Sequence, residues 1–237
     1  MQASSQTLLL DNFAAPSPAV DPAAPSQNWV ASTPGIYANV AGQARDAYYW
    51  LYIPGAGTAT ASIGGGAVSV NSGGAGAYAE LALGYGAYGN PLAGPPVQGP
   101  ALGLNLSGYG DLQASFAHAN NTLNLVAGFY TTNPLAGGNY YWTGEINLTP
   151  TVAGGPATGN LNFTGGGAST FNFSQVDGIV FIVDRAAQAD GNVYGLSSLQ
   201  FTQAVPEPAS AGMLLAGVAM LGAWRQRRQA SAGVGRG

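Results

Sequence analysis

Short runs of alternating or wholly apolar residues, each bounded by Gly, Pro, Asn or Ser, recur through the first two hundred positions and predict strands. Thr7–Phe13 (TLLLDNF) is the first, followed by a Pro/Ala-rich loop through Pro25. Ala47–Ile53 (AYYWLYI) is rich in aromatics and stops at Pro54-Gly55. Ala59–Val70 alternates small and branched residues around Gly64-Gly65-Gly66, the pattern of a hairpin. Ala77–Tyr85 comes next, then a Gly/Pro loop from Gly89 to Pro100. The second half adds Ala101–Leu106, Asp111–His118, Thr122–Tyr130 and Tyr140–Leu148. Asn160–Phe163 and Thr170–Phe173 flank a Gly165-Gly166-Gly167 turn. Gly178–Asp184 (GIVFIVD) is apolar almost throughout and reads as the best-buried strand; Asn192–Phe201 closes the series. About ten to twelve short strands with turn chemistry between them predict an all-β fold: an antiparallel β-sandwich, jelly-roll-like, over residues 7–203. A β-helix is the alternative, but no fixed internal period supports it.

The pattern changes at residue 204. Ala209–Trp224 (ASAGMLLAGVAMLGAW) is sixteen residues without a charge, close to the roughly 17–20 that a membrane span needs, and predicts a single C-terminal hydrophobic helix. Trp224 sits where an interfacial aromatic belongs, and Arg225, Arg227 and Arg228 follow as a membrane-stop cluster. Arginines of this kind stay on the cytoplasmic side, which places the body across the membrane. Pro206 and Pro208 separate the span from the body. Residues 231–237 read as a disordered cytoplasmic tail.

Val205-Pro206-Glu207-Pro208, the small-residue-rich span and the arginine cluster, in that order, resemble the PEP-CTERM sorting signal of Gram-negative bacteria over residues 204–230. The resemblance implies export, transient anchoring in the inner membrane, and processing by an exosortase-type membrane transpeptidase. It implies a final place at the cell surface or in the extracellular matrix. An exported chain needs a basic and apolar N-terminal signal. Residues 1–6 carry no complete one, so the expectation is that the true start lies upstream or that the chain has been trimmed.

The body also resembles the galactose-binding-like jelly rolls that many carbohydrate-binding modules share. The likeness rests on Asp11-Asn12-Phe13 at its start and on Leu106-Ser107-Gly108-Tyr109-Gly110-Asp111-Leu112 in its middle. Near its end it rests on Phe173–Phe181 and Gly195–Phe201.

Composition narrows the function. Charged residues make up 7% of the 237, against about 25% in an ordinary soluble domain, and there is no Lys. Up to Ala204 only Arg45 and Arg185 are basic, against nine acidic residues, so no basic patch is available for nucleic acid. Cysteine is absent, which excludes disulfides and thiolate chemistry. Glycine (37 residues) and the amide and hydroxyl side chains suit turns and strand surfaces.

Candidate chemistry is sparse. His118 is the only histidine and reads as a solvent-facing side chain at a strand end. Glu80 and Glu145 are the only glutamates of the body, and a glycosidase needs two carboxyl groups flanking the scissile bond. In Tyr141-Trp142-Thr143-Gly144-Glu145, alternation puts Tyr141 and Glu145 on one face and Trp142 on the other. Tyr49, Tyr141, Trp142 and Glu145 are therefore candidates for a carbohydrate-binding surface, because aromatic rings stack on the apolar faces of sugars. No cofactor is required. Asp11, Asp177 and Asp184 could supply oxygen ligands to a structural Ca²⁺ joining the first and last strands. Five Asn-x-Ser/Thr tripeptides, at Asn105, Asn120, Asn147, Asn162 and Asn172, follow from the Asn, Ser and Thr content. The expected protein is a non-enzymatic surface or matrix protein associated with exopolysaccharide. The alternatives are a carbohydrate-binding module with a defined aromatic platform and an extracellular glycoside hydrolase.

Overall fold

A computed structural model of the chain describes residues 7–14, 17–20, 30–31, 35–36, 44–88, 97–98, 100–132, 140–164, 170–185 and 191–203. Its strands are β1 (Thr7–Asp11), β2 (Ser17–Val20), β3 (Val30–Ala31), β4 (Gly35–Ile36), β5 (Ala44–Ile53), β6 (Thr60–Gly64), β7 (Ala67–Asn71) and β8 (Tyr78–Tyr88). They continue as β9 (Val97–Gln98), β10 (Asp111–Ala119), β11 (Leu123–Tyr130), β12 (Tyr140–Trp142), β13 (Ile146–Leu148), β14 (Gly155–Asn162), β15 (Gly178–Val183) and β16 (Val193–Thr202).

Among the described residues these strands form two antiparallel sheets. One has seven strands in the order β14-β10-β16-β7-β6-β2, with β1 paired to the end of β16. The other has nine, in the order β12-β11-β15-β8-β5-β3, with β13 on the first half of β11, β4 on β5 and β9 on β8. From β13 onward each successive strand passes to the other sheet, as do β5 to β6, β7 to β8 and β10 to β11. The result is the antiparallel, jelly-roll-like β-sandwich that the alternation predicted.

Register decides what fills the space between the sheets. Leu112, Ala114 and Phe116 of β10 alternate with half-exposed Asp111, Gln113 and Ser115, so β10 buries one face only. Strands β8, β11 and β15 are buried on both faces. Their inner residues, including Leu81, Leu83, Tyr85, Leu125, Phe129, Ile179 and Phe181, join the main core. Phe129 centres an aromatic cluster with Phe163 at 5.1 Å, Phe173 at 5.5 Å, Tyr141 at 6.3 Å and Phe201 at 6.4 Å between ring centroids. Such offset and edge-on pairs add to the area they bury.

One ion pair lies inside the sandwich. Arg45 Nη1 is 2.7 Å from Asp11 Oδ2, with both side chains buried. Asp11 also accepts from the Phe13 amide at 2.8 Å and the Tyr85 hydroxyl at 3.1 Å, while Arg45 lies 5.5 Å from the Phe13 ring centre. These contacts tie the end of β1 to β5 and β8, three strands distant in sequence.

The expected strands differ from the observed ones at several places, among them the short β3, β4 and β9, which were not expected. Ala101–Leu106 is not a strand; it follows the 173–177 segment through amides donating to the carbonyls of Asp177, Val176 and Phe173, with one bridge at Leu104. Tyr140–Leu148 is two strands broken at Thr143–Glu145, because β12 and β13 pair with different halves of β11. Thr170–Phe173 forms no strand, whereas β14 begins at Gly155, five residues before Asn160. A short β2 lies inside the expected Pro/Ala loop. The Gly64–Gly66 hairpin is present, with Gly65 and Gly66 both at positive φ (63° and 87°), the conformation a tight hairpin turn requires. The turn at Gly165–Gly167 lies outside the described residues.

The Asn-x-Ser/Thr tripeptides at 105, 162 and 172 have a local use. In each, Asn Oδ1 accepts from the backbone N–H two residues on, at 3.1, 3.2 and 3.0 Å, closing an Asx turn. All described residues fall within one compact unit, Met1–Gln203. The expected helix 209–224, the sorting motif, residues 1–6 and the 231–237 tail all lie outside the described residues. Among the described residues no helix is long and apolar enough to cross a membrane.

Candidate functional site

Strand β5 carries four aromatics in five positions, and its pairing with β8 sorts them between two faces. Tyr49 lies opposite Leu81, on the side of the main core, while Tyr48 lies opposite Ala82 and Trp50 opposite Glu80. Tyr48, Trp50, Ala82 and Glu80 therefore point away from the space between the sheets. Beyond a register shift after Leu51, Tyr52 stacks between Trp50 and Tyr78. The ring centroids are 4.8 and 4.7 Å apart and the interplanar angles are 6° and 12°. Trp50 and Tyr52 are half-buried.

A second aromatic group lies across the same face. Trp142 on β12 is opposite Gly128 on β11, and a Cβ at 128 would come within 2.9 Å of the indole. Glycine at that position lets the ring lie close against the sheet. Tyr130 meets the indole edge-on at 6.1 Å, and the Arg185 guanidinium lies 5.0 Å from the centre of the Trp142 ring. The Tyr78 hydroxyl donates to the Arg185 carbonyl at 3.2 Å, so this residue links the two groups.

Between them sits a buried acid. Glu80 is 3% exposed and accepts through Oε2 from the Tyr52 hydroxyl at 3.3 Å. Burial pushes its carboxyl up from 4.5 to about 7; the Tyr52 hydrogen bond and Arg185 oppose this, and Asp184 adds to it. Burial likewise raises the Tyr52 hydroxyl and takes that of Tyr78 to about 12, so both remain protonated donors. Further along β5 and β8, the Tyr88 hydroxyl donates to Asp46 Oδ2 at 2.7 Å and lies 3.0 Å from the Tyr48 hydroxyl. Burial raises the Asp46 carboxyl as well. Tyr48, Ala82, Tyr88, Val126, Val180 and Ile182 form a second apolar cluster on this outward side, with Tyr130 and Trp142 packed against it.

The residues singled out from the sequence fall in different places. Trp142 belongs to this face. Tyr49 does not: it is 2% exposed in the main core. Tyr141 likewise packs inward, against Phe129, Phe171 and Phe173. Both are corrected to structural positions, because the strand register gives their faces to the core. Glu145 is exposed in the turn between β12 and β13. Trp50, Tyr52, Tyr78, Glu80, Tyr130 and Arg185 complete the face; the aromatic run that holds Trp50 and Tyr52, and the placement of Glu80 inside an apolar strand, were its signals in the sequence.

The three aspartates each serve a separate part of the fold. Asp11 faces the Arg45 guanidinium. Asp177 accepts from the Thr132 amide at 2.7 Å and its hydroxyl at 2.6 Å, fastening the end of β11. Asp184, at φ 64°, accepts from Asn192 Nδ2 at 2.8 Å and the Asn124 amide at 3.2 Å. Among the described residues no three His, Asp or Glu side chains gather as a metal-ligand group. His118 is half-buried, with its ring against Gly195.

Val205, Pro206, Glu207, Pro208, Arg225, Arg227 and Arg228 lie outside the described residues, but all fall within residues 204–228, which match the family described as "PEP-CTERM protein-sorting motif". The chain carries a PEP-CTERM sorting motif. Such a motif marks a protein for export. No curated protein matches the chain significantly. The body resembles solved carbohydrate-binding modules with jelly-roll folds. A family 11 module from Clostridium thermocellum, in complex with a β-1,3-1,4-mixed-linked tetrasaccharide, is 14% identical with a TM-score of 0.39; the match covers 86% of this chain and 99% of that one. A family 29 module complexed with mannohexaose is 14% identical, with a TM-score of 0.34 and coverage of 84% and 93%. A family 30 module is 10% identical, with a TM-score of 0.38 and coverage of 85% and 90%. Likenesses this distant carry no argument about function, which rests on the face itself.

Proposed function

We propose that this is an exported cell-surface or matrix protein that holds polysaccharide on the outward face of its nine-stranded sheet. The observation that carries the reading is the set of half-buried rings on one face. Trp50 and Tyr52 stand beside one another, and Trp142 and Tyr130 stand across from them, with Arg185 between the groups. Half-exposed rings offer apolar surface to sugar C–H faces, and the hydroxyls and guanidinium offer hydrogen bonds to sugar oxygens. The PEP-CTERM motif supports handling by an exosortase-type membrane transpeptidase, with 209–224 as a transient inner-membrane anchor and exopolysaccharide at the destination. The reading is of a binding surface, supported by rings that stand half-exposed on the face while its acid, Glu80, is buried.

Screening the full chain, purified in a mild detergent, against a polysaccharide array tests this reading. Binding to at least one polysaccharide is expected, with Trp50→Ala weakening it roughly tenfold through loss of ring contact. An array without signal, or Trp50→Ala binding as well as the parent, would overturn it.

A further inference from the structure

The body has two basic side chains to nine acidic ones, so the position of each arginine is informative. Arg45 is internal and its charge is satisfied by Asp11. Arg185 is exposed, lies over Trp142, and its guanidinium forms no ion pair or hydrogen bond with any described residue. The surface cation of an otherwise acidic domain thus stands on its aromatic face with donors that no described residue takes up.

We propose that the polysaccharide held on this face is acidic, and that Arg185 takes the carboxylate of a uronic-acid residue. The proposal rests on the glycan-binding reading and names its ligand class. A guanidinium is a planar fork of five N–H donors that matches a carboxylate in bidentate fashion, and stacking on an indole holds that fork without using its donors. Carboxylate recognition is thereby placed next to ring contact, as a sugar ring bearing a C6 carboxylate requires. The domain's own acids do not cancel the attraction. Asp11 is paired with Arg45, burial raises the Asp46 and Glu80 carboxyls, Asp184 accepts from the Asn192 side-chain amide and the Asn124 N–H, and charges beyond about 8 Å are screened at physiological salt.

The groups facing Arg185 also set a pH dependence. Glu80 on β8 and Asp184 at the end of β15 are its acidic neighbours, with Tyr52 of β5 and Tyr78 of β8 as neutral ones. Glu80 loses its proton near pH 7 and then repels an incoming carboxylate, so a polyuronate binds more tightly at pH 6 than at pH 8.

The test is affinity electrophoresis or calorimetry of the full chain in mild detergent. The ligands are polygalacturonate and alginate on one side and neutral β-glucan and galactomannan on the other. The variants are Arg185→Gln, Arg185→Lys and Trp50→Ala. The proposal expects polyuronate binding that falls at least about tenfold in Arg185→Gln and less in Arg185→Lys, with any neutral-glycan binding falling by a clearly smaller factor than polyuronate binding does. Polyuronate binding indifferent to Arg185→Gln overturns it. So does binding confined to neutral glycans, which leaves the general glycan reading standing provided Trp50→Ala weakens it. No binding to any of the four polymers overturns it as well, and the general reading is then decided by the polysaccharide array.

Discussion

Replacing Glu80 by Gln should shift stability in the variant's favour as pH rises from acid to alkali. The carboxyl has an ordinary value of 4.5 in the unfolded chain and about 7 in the fold, raised chiefly by burial among Trp50, Tyr52 and Tyr78. Below pH 4.5 both states hold the proton and no penalty exists. Between 4.5 and 7 the folded state keeps a proton that the unfolded chain has released, so stability falls as pH rises. Above about 7 the fold carries the full cost of a buried charge, ~3 kcal/mol at 1.36 kcal/mol per pH unit. Gln keeps an acceptor for the Tyr52 hydroxyl but never ionises. Its new N–H₂ group adds a cost of about 1–3 kcal/mol if unpaired, and that cost is the same at every pH. The diagnostic is therefore the difference between variant and parent at pH 8 minus the same difference at pH 4.5. Urea unfolding of the full chain in mild detergent, followed by tryptophan fluorescence, measures it. The expected double difference is up to ~3 kcal/mol in favour of Gln. Asp46 is also raised by burial, but it is present in both proteins and cancels. A double difference within about 0.5 kcal/mol of zero would refute the assignment of Glu80 as a buried acid ionising near neutrality.

Three further substitutions and one mass measurement test other readings. Arg45→Ala leaves Asp11 charged inside the sandwich and should cost about 3–5 kcal/mol, lowering the thermal midpoint by roughly 6–20 °C; a loss below about 1 kcal/mol would place the pair at the surface. Phe129→Ala opens a cavity at the centre of the aromatic cluster and should cost about 3–5 kcal/mol by denaturant unfolding, with little change if the ring were peripheral. Gly128→Ala places a methyl against the Trp142 indole and should cost about 1–3 kcal/mol and weaken glycan binding; parent-like stability and affinity would mean that the indole does not lie on the sheet. Mass spectrometry of the C-terminus matured in an exporting host should find an end near Pro208, whereas a retained arginine cluster would argue for a permanent anchor.

Much of the fold was legible because turn chemistry and alternation are local properties. The Gly64–Gly66 hairpin, the β10 alternation and the apolar β15 run all follow from neighbouring residues. The faces of β5 were not legible for a physical reason. Alternation requires Tyr49 and Trp50 to oppose one another, but both are aromatic, so polarity cannot choose which looks inward. The choice is made by β8, where Leu81 and Leu83 share a face and Glu80 takes the other. Tyr141 and Trp142 pose the same ambiguity, resolved by Phe129 and Gly128 on β11. Ala101–Leu106 alternates like a strand, yet it uses its apolar positions to follow an irregular segment, because hydrophobic period alone does not specify a ladder partner.

The low charge content and the site have a common cause in how the two outward faces are solvated. The seven-stranded sheet meets solvent through hydrogen-bonded amides. Gln200 donates to Gln113 at 2.6 Å and Gln113 donates to Asn160 at 3.1 Å, in one row across β16, β10 and β14. Those amides satisfy one another and need no lysine or glutamate to keep the face wet. Charge is then freed from solvation and appears where it does specific work. Asp11 and Arg45 fasten β1 inside the sandwich, Asp177 fastens β11, and Glu80 orients the Tyr52 hydroxyl in the aromatic column. On the nine-stranded sheet the outward side is apolar at its centre and aromatic toward Trp50 and Trp142, with the Arg185 guanidinium unpaired among the described residues. An exposed arginine costs nothing to leave unpaired in water, but it contributes little to a fold either. Its position on this face, in a domain that otherwise dispenses with surface cations, is the feature the proposed acidic ligand would use.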